Sequence, residues 1–228
     1  AVFLLGHGTG SEDEAKFNIH GPDLTGIEFA ALFDDFIEQD LIFVNTTSAS
    51  YGFSTALARE IAGEGRIVVS ATRSSAEKFD PFFPRYFIEG LSEHRADRDK
   101  NSRVSLLEAF NYAKNNVDAF YEEQGRLAAE HAGLDDNGDA LFALDPAPGE
   151  ADGGLAEIAF FDAIGADDSE LSPERRALKR QMQSLEREVL LLRGRKAELL
   201  EDDYWKQFET LLLDLARTTE EFNAKPSP

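Results

Sequence analysis

Cysteine is absent from this chain of 228 residues, which excludes a disulfide framework, a thiolate nucleophile and a thiolate metal site. Basic residues are scarce too: 23 Lys and Arg stand against 44 Asp and Glu, for a formal charge of -21. Nucleic acid is thereby excluded as a partner, because phosphate binding needs Lys and Arg facing the backbone to release counterions. Neutral or cationic ligands and metal ions suit the charge. No apolar run reaches the roughly 18 residues of a membrane-spanning helix, so no membrane span is expected. An initiator Met is also missing, and the chain opens inside an apolar strand. Further residues, with room for a signal peptide, are therefore expected upstream.

What is present is 42% hydrophobic, ordinary for a globular domain with an appendage. Charge divides the chain. Residues 172–228 hold 11 basic and 11 acidic side chains, leaving 12 against 33 in residues 1–171. This asymmetry predicts an acidic globular unit followed by a charge-balanced helical extension.

Two apolar strands run into clusters of polar residues. Val2-Phe3-Leu4-Leu5 ends at Gly6-His7-Gly8, and Leu41-Ile42-Phe43-Val44 ends at Asn45-Thr46-Thr47-Ser48-Ala49-Ser50. An amphipathic stretch from Leu24 to Phe36, with Thr25 as its cap, joins them, so the strands are expected as parallel neighbours with their carboxyl ends side by side. That brings His7 beside Ser48 or Thr47. An imidazole next to a hydroxyl is the minimum pair for nucleophilic acyl transfer. Arg66-Ile67-Val68-Val69-Ser70-Ala71 reads as a third buried strand after a helix over Ser54–Ala62. Strands too apolar for a one-sided sheet, alternating with helices, indicate an α/β fold with a mostly parallel sheet.

Helices are expected over Pro81–Leu91 and Ser105–His131, a loop over Asp145–Gly154, and a last strand at the sheet edge over Leu155–Phe161. From Ser172 the period changes. Leu178, Met182, Leu185, Val189 and Leu192 recur at spacings of four and three, and Tyr204, Phe208, Leu211, Leu215 and Phe222 resume the stripe. Residues 172–224 thus read as a helical hairpin or coiled coil, with an oligomerisation seam if the stripe is exposed. The division expected is 1–165 for the α/β domain, 166–171 for a linker and 172–224 for the helices.

The strand ending in His7-Gly8, the strand ending in Ser48-Ala49-Ser50 and the strand ending in Ser70-Ala71-Thr72-Arg73-Ser74 together resemble the caspase-like cysteine peptidases, particularly bacterial relatives of the legumain family. The resemblance spans about residues 1–165. It implies a caspase-like three-layer α/β/α sandwich, incomplete at its N-terminus because the family's first strand and helix would precede Ala1. It also implies His7 as catalytic base with Gly8 beside it, Ser48 at the nucleophile position, or Thr47 in a register shifted by one, and substrate contacts from Ser70, Thr72 and Ser74. Serine replaces the family's cysteine, and a hydroxyl needs a well-oriented base where a thiol is already partly ionised. The expectation is a catalytically degenerate fold that binds a peptide or protein; the alternative is a hydrolase using a His7/Ser48 dyad. His20, in the loop Asn18 to Asp23, is a further polar group on that side.

A second motif is independent of the first. Asp97 to Glu108 fits a twelve-residue calcium loop, with Asp97, Asp99, Asn101 and Ser105 at ligand positions, Arg103 offering its carbonyl and Glu108 closing the loop. Ser102 replaces the usual glycine at the sharp turn. Catalysis by the dyad requires no cofactor; calcium is the one ion the sequence suggests, as the stabiliser of a structural module. Leu134 to Asp139 is a weaker oxygen-rich cluster, read as a turn. Acidity, this loop and the lack of cysteine lean toward an exported or periplasmic protein. A dinucleotide site is excluded, since Gly6-His7-Gly8-Thr9-Gly10 lacks the required spacing.

Overall fold

The structure, a computed structural model, describes residues 1–36, 39–63, 65–93, 95–100, 103–161, 171–196 and 199–225. The chain opens with β1 (Val2–Leu4), then β2 (Gly8–Thr9), β3 (Lys16–Phe17) and β4 (Leu24–Thr25), which form a small antiparallel sheet of their own. Next come α1 (Gly26–Ala30), β5 (Leu41–Asn45), α2 (Ser50–Glu60), β6 (Arg66–Ser70) and α3 (Phe83–Ser92). They are followed by β7 (Val104–Ser105), α4 (Leu106–Glu123), β8 (Gly133–Asp135), α5 (Gly154–Ile158) and β9 (Phe160–Phe161). Two long helices, α6 (Pro173–Gly194) and α7 (Glu201–Ala224), end the chain.

The central sheet has the order β1-β5-β6-β8. β1 pairs parallel to β5, with Leu4 opposite Asn45, and β5 pairs parallel to β6, with Asn45 opposite Ser70. β8 is antiparallel to β6 and starts with Gly133 opposite Ser70. The result is a mixed α/β fold with a mostly parallel sheet, compatible with an α/β sandwich.

Apolar strands are required here because both faces of the sheet are covered. On one face Phe43 and Val68 pack with Ala30, Phe53 and Leu57 of α1 and α2. Successive side chains of a strand point oppositely, so Val44, Ile67 and Val69 face the other way, onto Phe83, Phe87, Phe110 and Val117 of α3 and α4. Rings dominate: Phe43 stacks on Phe53 at 6.1 Å, and Phe83 on Phe87 at 5.4 Å.

Four sequence expectations are corrected. The amphipathic stretch after Leu24 is a short α1, fixed by a reciprocal capping box of Thr25 and Glu28, that tightens into a 3₁₀ turn over Ala31–Phe33. The helix expected over Ser105–His131 stops at Glu123, because Gly125 adopts φ +61, and β8 follows it. Among the described residues Leu155–Phe161 adds no strand to the main sheet; α5 occupies most of it, and β9 pairs with β7. The oxygen-rich cluster at 134–139 holds two residues of β8, with Asp135 buried.

Two compact units divide the chain, Ala1–Phe161 and Asp162–Pro228. Of the linker expected at 166–171, only Leu171 lies among the described residues. In the second unit α6 and α7 run antiparallel, for the Arg175 guanidinium at the start of α6 donates to the carbonyl of Lys225 just beyond α7 (3.2 Å) and lies 4.3 Å from the Phe222 ring.

Candidate functional site

The carboxyl ends of β1, β5 and β6 share one edge of the sheet, where open α/β sheets form their crevice. Because β8 runs the other way, its approach through Glu130 and His131 arrives at that same edge. Four chain segments therefore converge there.

The turn after β5 is built by its own polar side chains. Asn45 Oδ1 accepts from the Thr47 amide (3.1 Å) and the Thr47 hydroxyl (2.7 Å), bending the chain into an Asx turn. Thr46 reaches across to the Leu4 carbonyl with both its amide (3.1 Å) and its hydroxyl (2.8 Å), locking the ends of β5 and β1 together. Ala49 then takes φ +53, a left-handed conformation that costs a non-glycine residue of order 1 kcal/mol or more, before α2 starts.

Ser48 is buried, and its hydroxyl is closed onto Gly8: it accepts from the Gly8 amide at 3.3 Å and donates to the Gly8 carbonyl at 3.2 Å. The His7 ring pairs instead with Asp80, Nδ1 to Oδ1 at 3.0 Å, each side chain 71% exposed. Among the described residues no hydrogen bond joins that ring to Ser48 or Thr47. An imidazole oriented by a carboxylate and a hydroxyl on the neighbouring strand are both present, but the hydroxyl is spent on backbone. The Gly8 amide, engaged by Ser48, is likewise not aimed at a developing oxyanion.

Ser70 and Thr72, expected at a substrate, are fully buried. Ser50 Oγ accepts from the Thr72 amide (3.1 Å), and lies 3.1 Å from Ser70 Oγ and 3.0 Å from Thr72 Oγ1. Thr72 Oγ1 accepts from the Tyr51 amide (3.0 Å), so this hydroxyl cluster ties the start of α2 to the end of β6 and supports the crevice from behind. Ser74 is half-buried and its carbonyl accepts from the Glu77 amide in a turn. His20 is exposed.

Glu77, Asp80, Glu130 and His131 were not singled out by sequence reasoning. The Glu77 carboxylate takes the amides of Arg73 (2.9 Å) and His131 (3.1 Å), and His131 Nδ1 at 2.6 Å. Its carbonyl accepts from the Ala49 amide at 3.3 Å. Glu130 receives the amides of Phe82 and Phe83 at the start of α3 and the Tyr121 hydroxyl. Burial holds the Glu130 carboxyl above the usual carboxylate range, and those donors only partly offset it. The signal for Glu130 and His131 in the sequence is a Glu-His pair just before Ala132-Gly133-Leu134.

The loop at 97–108 brings Asp97, Asp99 and Glu108 together, with one oxygen of each within 4.8 Å of the others. Ser105 caps α4 and makes a reciprocal box with Glu108, whose carboxylate also accepts the Arg98 amide (2.9 Å). The Arg103 guanidinium lies 3.5 Å from the Phe160 ring, and Asn101 lies outside the described residues. Asp97, Asp99 and Glu108 suit a hard, oxygen-seeking divalent cation.

The chain matches no protein-family model, no curated protein and no solved structure. Among the described residues no helix is long and apolar enough to cross a membrane.

Proposed function

We propose that residues 1–165 are a caspase-like peptidase fold that binds a peptide or protein without cutting it, with Ser48 at the nucleophile position but not serving as one. The observation that carries this reading is the Ser48 hydroxyl bonded to both backbone groups of Gly8 while the His7 ring is bonded to Asp80. Parallel pairing of β1 with β5, which sets the two motif-bearing loops side by side, supports the resemblance. The full chain, incubated with a diverse peptide library, is expected to retain peptides and release no fragments. Labelling of Ser48 by an activated fluorophosphonate, or cleavage abolished by Ser48→Ala, overturns the reading in favour of a His7/Ser48 hydrolase.

A second reading, calcium as a structural ion, is favoured by the convergence of Asp97, Asp99 and Glu108. A ligand that binds only the folded state raises its thermal midpoint, so millimolar calcium is expected to do so, and an unchanged midpoint removes the ion. The same view treats α6 and α7 as a helical hairpin for homo-oligomerisation. Light scattering tests this, and a monomer at all concentrations removes it.

A further inference from the structure

A cavity of about 210 Å³ opens beside the crevice, between the start of α3, the middle of α4 and the segments flanking β8. Phe83, Val117 and Leu144 give it an apolar wall; His131, Asp118 and Asp145 give it polar atoms. Glu130 also lines it, but its oxygens already hold the amides of Phe82 and Phe83 and the Tyr121 hydroxyl, so it builds the wall.

His131 is held by Glu77 through Nδ1 at 2.6 Å, and a carboxylate accepts, so Nδ1 carries a proton; with no second proton on the ring, Nε2 offers a lone pair. The Asp118 and Asp145 carboxylates are acceptors too. Among the described residues lining the cavity, the Lys or Arg donor is the Lys114 ammonium, and it is paired with Asp145. The cavity thus offers an apolar wall and an excess of acceptors, which asks for a ligand with an aliphatic stem and a head made only of donors. Lysine and arginine side chains have that composition. The charge of -21 favours the same ligands at long range.

We infer that the cavity beside His131 is a subsite for a basic side chain, the ammonium or guanidinium meeting His131 Nε2 and Asp118 while the stem lies on Phe83, Val117 and Leu144. The inference rests on reading the crevice as a peptide groove, and the Glu77 carbonyl, bonded to the Ala49 amide at 3.3 Å, ties the cavity wall to that groove.

The test titrates the full chain, ring-labelled at histidine, with Nα-acetyl-lysine N-methylamide and with its norleucine counterpart, which keeps the stem and lacks the ammonium. The His131 ring resonances are expected to shift and saturate with the lysine compound, about tenfold tighter than with norleucine, and Asp118→Asn, at an exposed position, is expected to erase most of that preference. Equal responses to the two compounds, no movement of His131, or a preference intact in Asp118→Asn each overturn the subsite. Library peptides retained without enrichment in Lys or Arg sink the subsite and leave the groove standing. Saturable lysine binding by a chain that retains no peptide does the reverse.

Discussion

Ser48 and Gly8 are joined twice, amide to hydroxyl at 3.3 Å and hydroxyl to carbonyl at 3.2 Å, across the seam between the β1 and β5 loops. The seam has no room to spare. A Cβ on Gly8 would stand well inside the Ser48 carbonyl oxygen and 2.9 Å from Thr47 Oγ1. Gly8→Ala is therefore expected to cost about 1–3 kcal/mol through overpacking, read from urea unfolding midpoints at constant slope. Ser48→Ala, which frees the same two groups without crowding them, should cost about 1–2 kcal/mol.

Ala49 sits at φ +53 between Ser48 and the first turn of α2. Glycine takes this conformation without the Cβ clash, so Ala49→Gly is expected to stabilise the fold by about 1 kcal/mol despite the extra freedom of the unfolded chain. A loss of stability on equilibrium unfolding would show that the left-handed turn does not persist in solution.

Asp152 is buried and accepts from the Asp136 amide at 2.9 Å. Burial pushes its carboxyl up to about 6, aided by the charges of Asp136, Asp135 and Asp139. The folded state thus holds this proton more tightly than the unfolded chain, whose value is about 3.9. Its contribution is full below that value and lost as pH rises through about 6. Asp152→Asn keeps the acceptor and removes the charge; it should stabilise the protein by about 1–2 kcal/mol at pH 8 and by little at pH 4, as compared in denaturant series at the two pH values.

Asp99 stands with Asp97 and Glu108 in the loop before α4. Asp99→Asn relieves like-charge crowding and removes a ligand. The thermal midpoint is expected to rise slightly without calcium and to lose most of its calcium response, whereas an undiminished response would place the ion elsewhere.

The sequence made β1, β5 and β6 legible because buried parallel strands are continuous apolar runs, and their pairing places His7 and Ser48 on adjoining loops. β8 was hidden, since three residues such as Gly133-Leu134-Asp135 become a strand only by pairing with Val68, Val69 and Ser70. Leu155–Phe161 misled for a similar reason: the Asp136 carboxylate, far away in sequence, takes the Gly153 and Ala156 amides and turns the segment into α5. The end of α4 was missed although Gly125 marks it, because the expected helix ran on to His131. The partners of His7 and His131 were not, because Asp80 and Glu77 lie 73 and 54 residues away and no periodicity records such a meeting.

Glu77 works as a clasp. One of its backbone atoms secures the left-handed corner at Ala49 and its side chain secures an imidazole on the far side of the sheet's end, so whatever loosens that one residue slackens both walls of the crevice together. Two features that look separate along the chain therefore share a single fastening, and they stand or fall as one.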